Sequence, residues 1–504
     1  MNTRKAFCLV ALGVVAAFVA VGLAGRAFAD WEPPPPPRPS RIKAGESLPP
    51  LPLPATPLRR SERKREPAKP ALIGKIQYGN KVWVTTDDGR RFSYFDWRSD
   101  TTDMHHLLNF ANSKLGISYR SIETPLSSFS FNPAELPTLY FTGHNDFTFT
   151  DEELQRLGWY LRDGGTLIGD ACCGANEFSV AFARNIKKIF PDRPFRVISP
   201  DDPLYHCFYE IEEVTYREEG KAPRKGMPNL RGMRLGCRLA VILSTHDMSC
   251  GWARHEHPQG KSIDIDNATK IGTNILTYIL AGYQYGKTYS TQKVYHEQEE
   301  PTREQLVFGQ VVHGGDWDPD PTAVPNILKF LEANTTIDVQ FARADVDLRN
   351  IHAFKYPFIY MTGHEDFVFT EQEVAALRSY FRNGGVMLAN ACCGRKAFDA
   401  AFRRELARAF DKTALQKLPP DHPLFSSLYT IGEVRYTDWM KEQNPDLVTP
   451  VIEGVTVGGQ LCVIYSPYDL GNGWEDIAHP YSLGYSPQDA LRIGANAIVY
   501  AMTH

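Results

Sequence analysis

The sequence predicts an α/β protein made of two tandem domains, each with a parallel sheet covered by helices on both faces. Two observations carry this. Leu139–Phe190 aligns with Ile359–Phe410 without a gap at an offset of 220, and 23 of the 52 positions are identical. Inside each copy, short buried-strand runs alternate with amphipathic helical stretches across short turns, the pattern of a parallel sheet.

The elements of the first copy read in order. Pro137–Gly143 is a buried-strand run. Thr150 is an N-cap, and Glu153 three residues later completes a capping box. The helix that follows puts Leu154, Leu157 and Leu161 on one face, and Gly164-Gly165 stops it. Thr166–Ala171 is the next strand and Ala175–Ile189 the next helix. Further on, Ser199–Tyr209 matches Pro419–Tyr429, and Val241–Trp252 matches Val463–Trp474. The closing helix around Ile271–Gly282 matches Ile493–His504. The domains are therefore expected at 71–287 and 305–504, joined by a polar linker at 288–304.

The N-terminus reads as a targeting segment. Arg4 and Lys5 precede an apolar run from Ala6 to Ala24, and Ala27-Phe28-Ala29 is a cleavage signal. Residues 1–29 are expected to leave as a signal peptide, with Asp30 first in the mature chain; an uncleaved run of this length would instead tether the chain to a membrane. Residues 30–70 are rich in proline and read as an extended spacer without a core. An exported, cell-envelope or periplasmic protein follows. The net charge is −4, and the short basic cluster Arg59–Arg65 reads as solvated linker, so no nucleic-acid surface is expected. The sequence has nine cysteines without a CxxC pair, which argues against a zinc ribbon and a disulfide scaffold.

Ligands of such sheets bind beyond the carboxyl ends of the strands. His144, Cys172 with Cys173, and Asp247 each follow a strand and share one edge. His364, Cys392, Cys393 and Asp469 do so in the second copy. The Ala-Cys-Cys-Gly segment has the form of a strand–turn–helix elbow. Cys172 and Cys392 are the candidate nucleophiles, with His144 or His364 as base and Asp247 or Asp469 nearby. The first cysteine of each pair is expected to face the sheet edge and the second to pack inward. Three readings stay open for the pair: small apolar filling under a tight turn, a reactive thiol, or redox pairing. His144 with Asp146 supplies two metal ligands and no third, so neither metal nor cofactor is expected. Asp202 stands where the second copy has His422, so that position is not a shared essential one. Trp252 and Trp474 read as core closure.

The Thr-Gly-His turns (Thr142–His144, Thr362–His364), the glycine pairs (Gly164, Gly165, Gly384, Gly385), the Cys-Cys-Gly elbows, Pro203/Pro423 and the Asp-x-x-x-Gly-Trp ends together resemble the bacterial domain of unknown function 4159. The resemblance covers nearly all of the chain after residue 71. It implies a flavodoxin-like fold similar to the class I glutamine amidotransferases. Those enzymes need a histidine and a glutamate two residues apart on a late strand. Here His246 is followed by Asp247 and Met248, and the second copy has Tyr468 and Asp469. The expected role is a non-catalytic binding or scaffolding module for a small molecule or an envelope protein. The alternative is a cysteine-dependent hydrolase.

Overall fold

The computed structural model describes residues 69–79, 81–255, 260–289, 306–339, 343–353, 355–410, 415–476 and 479–504. The expected signal peptide, nearly all of the proline-rich spacer and most of the 288–304 linker lie outside the described residues. No helix among the described residues is long and apolar enough to cross a membrane.

Repeat 1 builds a seven-stranded sheet from β1 (Ala71–Gln77), β2 (Arg120–Pro125), β3 (Thr138–Gly143), β4 (Thr166–Ala171), β5 (Arg196–Val197), β6 (Arg231–Leu235) and β7 (Arg238–Ser244). Their order across the sheet is β2-β1-β3-β4-β7-β6-β5. The first five strands in that order are parallel, and β6 and β5 add antiparallel at one edge. Repeat 2 repeats the plan with β8 (Gly309–Val312), β9 (Ala344–Asp347), β10 (Phe358–Gly363), β11 (Val386–Ala391), β12 (Gln416–Lys417), β13 (Glu453–Val457) and β14 (Gln460–Ser466). Its order is β9-β8-β10-β11-β14-β13-β12. Both sheets are thus mainly parallel, and the antiparallel edge is what the alternating pattern did not disclose.

Helices cover both faces. In repeat 1, α1 (Asp103–Leu115), α4 (Ser249–Trp252) and α5 (Ile265–Tyr289) pack on one side, with Leu107, Trp252, Ile271 and Ile275 in its core. On the other side lie α2 (Asp151–Arg162) and α3 (Asn176–Ile189), whose Leu157, Leu161, Phe178 and Phe182 meet Phe141 and Leu167. The counterparts are α6 (Ala323–Asn334), α7 (Glu371–Arg382), α8 (Lys396–Ala409), α9 (Gly471–Glu475) and α10 (Pro487–Thr503). Both capping boxes form: Thr150 caps α2 with Glu153, and Thr370 caps α7 with Glu373. Each capped end satisfies two otherwise orphaned backbone donors. The tryptophans close the core as expected: Trp252 Nε1 donates to Ala268 O at 2.8 Å, and Trp474 Nε1 to Ala490 O at 2.9 Å.

The two repeats meet head to tail. The antiparallel edge of repeat 1 lies against the carboxyl edge of the repeat 2 sheet. Arg196 of β5 donates to Gly314 O at 3.1 Å and pairs with Glu365 at 3.1 Å. The turn between β6 and β7 brings Cys237 to Cys392, with the sulfurs 3.2 Å apart. Asp202 is fully buried at this seam; it pairs with Arg234 of its own repeat and lies 3.8 Å from Arg395 of the other. Tyr278 stacks on Tyr481 with ring centroids 5.6 Å apart. Repeat 2 therefore has the carboxyl edge of its sheet covered by repeat 1.

Candidate functional site

Strand register explains why the predicted residues converge. Gly143 of β3 pairs with Ala171 of β4, and Gly363 of β10 pairs with Ala391 of β11. The next residues, His144 and Cys172 or His364 and Cys392, then leave adjacent parallel strands at the same level, about 4.8 Å apart. Ser244 of β7 pairs with Asp170, which carries Asp247 to the same edge. Four potential ligand groups of repeat 1, on Cys172, Cys173, Asp247 and Cys250, lie within 4.8 Å of one another.

Each elbow is a single tight turn, Cys172–Gly174 or Cys392–Gly394. Its second cysteine takes the left-handed conformation, with φ 55° at Cys173 and 52° at Cys393. The following glycine is required twice over. Gly174 has φ 68°, and a Cβ there would sit 2.7 Å from Lys261 O. Gly394 has φ 67°, and its Cβ would sit 2.6 Å from Leu483 Cβ. Cys172 is buried and Cys173 half-buried, so the expectation that the second cysteine packs inward fails in repeat 1, while Cys172 meets His144 at the sheet edge as expected. In repeat 2 both thiols are buried.

Two aspartates that sequence reasoning missed anchor the histidines. Asp96 accepts from the backbone N–H groups of His144 and Asn145, both at 2.8 Å, and lies 3.1 Å from His144 Nδ1. Asp316 does the same for His364 and Glu365, with its other oxygen 2.5 Å from His364 Nδ1. The signal was present in the sequence: Asp96-Trp97, Asp100 and Thr102 recur as Asp316-Trp317, Asp320 and Thr322 at the same offset of 220.

The predicted acids have another role. Asp247 Oδ2 accepts from Cys173 N–H at 2.7 Å, and Oδ1 accepts from Ser249 Oγ at 2.9 Å and Cys250 N–H at 3.1 Å. Asp469 accepts from Cys393 N–H at 2.6 Å and Asn472 N–H at 3.2 Å. Both clamp the elbow to the next loop, and neither orients its histidine. His246 packs against Tyr216, ring centroids 4.7 Å apart, and Asp146 pairs with Arg184, so neither joins the cluster. Asp202 and His422 do share a local role, since each side chain accepts from a backbone N–H two residues on, at Leu204 and Leu424.

The electrostatics separate the two sites. His144 is held protonated well above its ordinary range, first by Asp96 and then by the thiols of Cys172 and Cys173. Hydrogen bonds from Cys173, then from Cys250, pull the Cys172 thiol down, and His144 adds to them against the cost of burial. In repeat 2, burial lowers His364, but Asp316 and Cys393 outweigh it and raise the imidazole to about 9. Burial, then the charge of Cys393, lifts Asp469 to about 7. The His144 side chain is 33% exposed and that of His364 2%, so solvent reaches one site and not the other.

A family profile, that of a domain of unknown function (DUF4159), matches residues 76–280 and again 307–502. The chain belongs to the DUF4159 family. It carries two DUF4159 domains in tandem, and each match contains one complete elbow, one Thr-Gly-His turn and one clamping aspartate. No curated protein matches the chain significantly.

Proposed function

We propose that this tandem DUF4159 protein is an exported binding or scaffolding module of the cell envelope, with repeat 1 as its working face and repeat 2 as its closed support. The observation that carries it is the bond from Cys173 N–H to Asp247, 2.7 Å long, with its counterpart from Cys393 to Asp469. A cysteine hydrolase uses backbone donors beside its nucleophile to stabilise an oxyanion. Here that donor is committed to a fixed carboxylate, and the N–H groups of His144 and Asn145 are committed to Asp96. An anionic intermediate at Cys173 would meet these carboxylates instead of free donors. The same surroundings suit a cationic ligand. A glutaminase has no support in either copy, since Met248 and Tyr468 break the histidine–glutamate pair that amidotransferases carry. Export rests on Arg4, Lys5, the Ala6–Ala24 run and Ala27-Phe28-Ala29.

One observation favours the hydrolase alternative: Asp96 orients His144, and His144 faces the thiols of Cys172 and Cys173, an acid–base–thiol series. Activated acyl esters and glutamine decide between the two. Intact-mass spectrometry of the mature chain after mixing should find no acyl adduct and a first residue of Asp30. A thiol-bound acyl adduct that disappears in Cys172→Ser or Cys173→Ser would establish the hydrolase and overturn the binding module.

A further inference from the structure

We propose that Cys237, His364, Cys392 and Cys393 form a structural zinc site that ties the two repeats together. The proposal does not depend on what repeat 1 binds.

The donor set comes first. The three sulfurs and one ring nitrogen of His364 all lie within 4.8 Å of one another, and all four residues are buried. A tetrahedral zinc with Zn–S bonds of about 2.3 Å spaces its sulfurs about 3.8 Å apart. Three thiolates and one imidazole are a common structural set for this ion. The cluster also sits where its parts come from different repeats: Cys237 lies on the β6–β7 turn of repeat 1, and the other three lie at the carboxyl edge of repeat 2.

The histidine supplies an independent observation. Its Nδ1 is held by Asp316 at 2.5 Å, while its Nε2 is buried without a hydrogen-bond partner. A carboxylate on one nitrogen and a metal on the other is the usual arrangement of a metal-bound histidine. A buried imidazole nitrogen with no partner is costly otherwise. The Asn472 side chain also donates to Cys393 Sγ at 3.3 Å, the kind of outer bond that supports a thiolate ligand.

Comparison of the repeats adds a third argument. Repeat 1 has its own third thiol, Cys250, on α4. At an offset of 222 repeat 2 has Asn472 there. Repeat 2 regains a third thiol only because repeat 1 places Cys237 on it, and the position matching Cys237 in repeat 2 is Gly459. Packing alone has no need to restore the number of thiols from across a seam; metal coordination does. Asp320 accepts from Cys237 at 3.1 Å and from Cys392 at 3.4 Å, and Asp469 lies 3.7 Å from Cys392. A divalent cation compensates this buried concentration of acidic groups. A cavity of about 970 Å³ borders the cluster and is lined in part by Cys237, Asn472 and His479.

The competing outcome is a disulfide between Cys237 and Cys392, which would leave Cys393 and His364 without a shared purpose. The test uses the full exported chain in a Cys172→Ser/Cys173→Ser background, which removes two of the three thiols of the repeat 1 cluster. Zinc is measured by plasma mass spectrometry, and cobalt(II) is titrated into the chelator-stripped protein. The expected result is about one zinc per chain and a cobalt spectrum of tetrahedral, thiolate-rich coordination. Adding Cys237→Ser or His364→Asn should remove most of the bound zinc and weaken or shift that spectrum. Full zinc in both variants, no tetrahedral cobalt signal in the background protein, or a Cys237–Cys392 peptide in a non-reducing digest would each overturn the proposal.

Discussion

His144 in repeat 1 and His364 in repeat 2 occupy the same place in the chain, each bonded to an aspartate 48 residues earlier. One is a third exposed and the other is sealed. Nothing in the local turn accounts for this, because the elbows, the φ values of Cys173 and Cys393, and the clamping aspartates agree. The difference comes from docking. Repeat 1 lies across the carboxyl edge of repeat 2, whereas the corresponding edge of repeat 1 leaves His144 and Cys173 partly exposed. A duplicated fold has thereby produced two environments from one motif, and burial is what separates a site that can meet a ligand from one that holds the protein together.

The seam gives the largest test of that comparison. Asp202 and His422 make the same local cap, but only Asp202 also pairs with Arg234 at the seam. Asp202→Asn should cost about 3–5 kcal/mol in denaturant unfolding, the loss expected when a buried ion pair is broken. His422→Ala should cost about 1 kcal/mol, the cap alone. Equal losses would mean that Asp202 does not hold the seam. The pH dependence carries a sign. Burial raises the Asp202 carboxyl, but Arg234 and then Arg395 outweigh it, so its folded value lies below the ordinary one. The contribution is therefore complete above about pH 4 and fades as pH falls through the lower folded value. Asp202→Asn should lack that part of the acid-side decline.

The smallest expected effect checks that the repeats are alike where docking does not reach. Thr150→Ala and Thr370→Ala remove equivalent capping boxes. Each should cost about 1 kcal/mol, and the two should agree within about 0.5 kcal/mol. A clear inequality would show that the difference between repeats extends beyond the carboxyl edge.

What could be read from the sequence was whatever is local. The capping boxes, the Gly164-Gly165 stop, the strands before each elbow and the closing helices follow from periodicity and turn chemistry within a few residues. Convergence of His144 with Cys172 followed from the rule for parallel strands, since both end adjacent strands. Asp96 and Asp316 were within reach, because the repeated Asp-Trp keeps the offset of 220, although it lies well before the gapless alignment begins at Leu139 and Ile359. That Cys173 is half-buried while Cys393 is buried was not legible, because both take the same left-handed turn and the local sequence does not show what packs over each. The antiparallel edge strands are short, and the turn at Gly236-Cys237 was their one cue. The role of Cys237 was not legible at all: its side-chain partners lie 83 and more residues away and meet it only once two complete sheets have docked.

Pulsed alkylation of the native chain, read peptide by peptide in a mass spectrometer, tests the asymmetry most directly, since Cys173 and Cys393 are equivalent residues in one molecule. Thiol reactivity requires exposure as well as thiolate. Cys173 is predicted to label at least about tenfold faster than Cys393, with the gap closing only when the protein is unfolded. Equal labelling rates in the native state would contradict the open and closed sites on which this account rests.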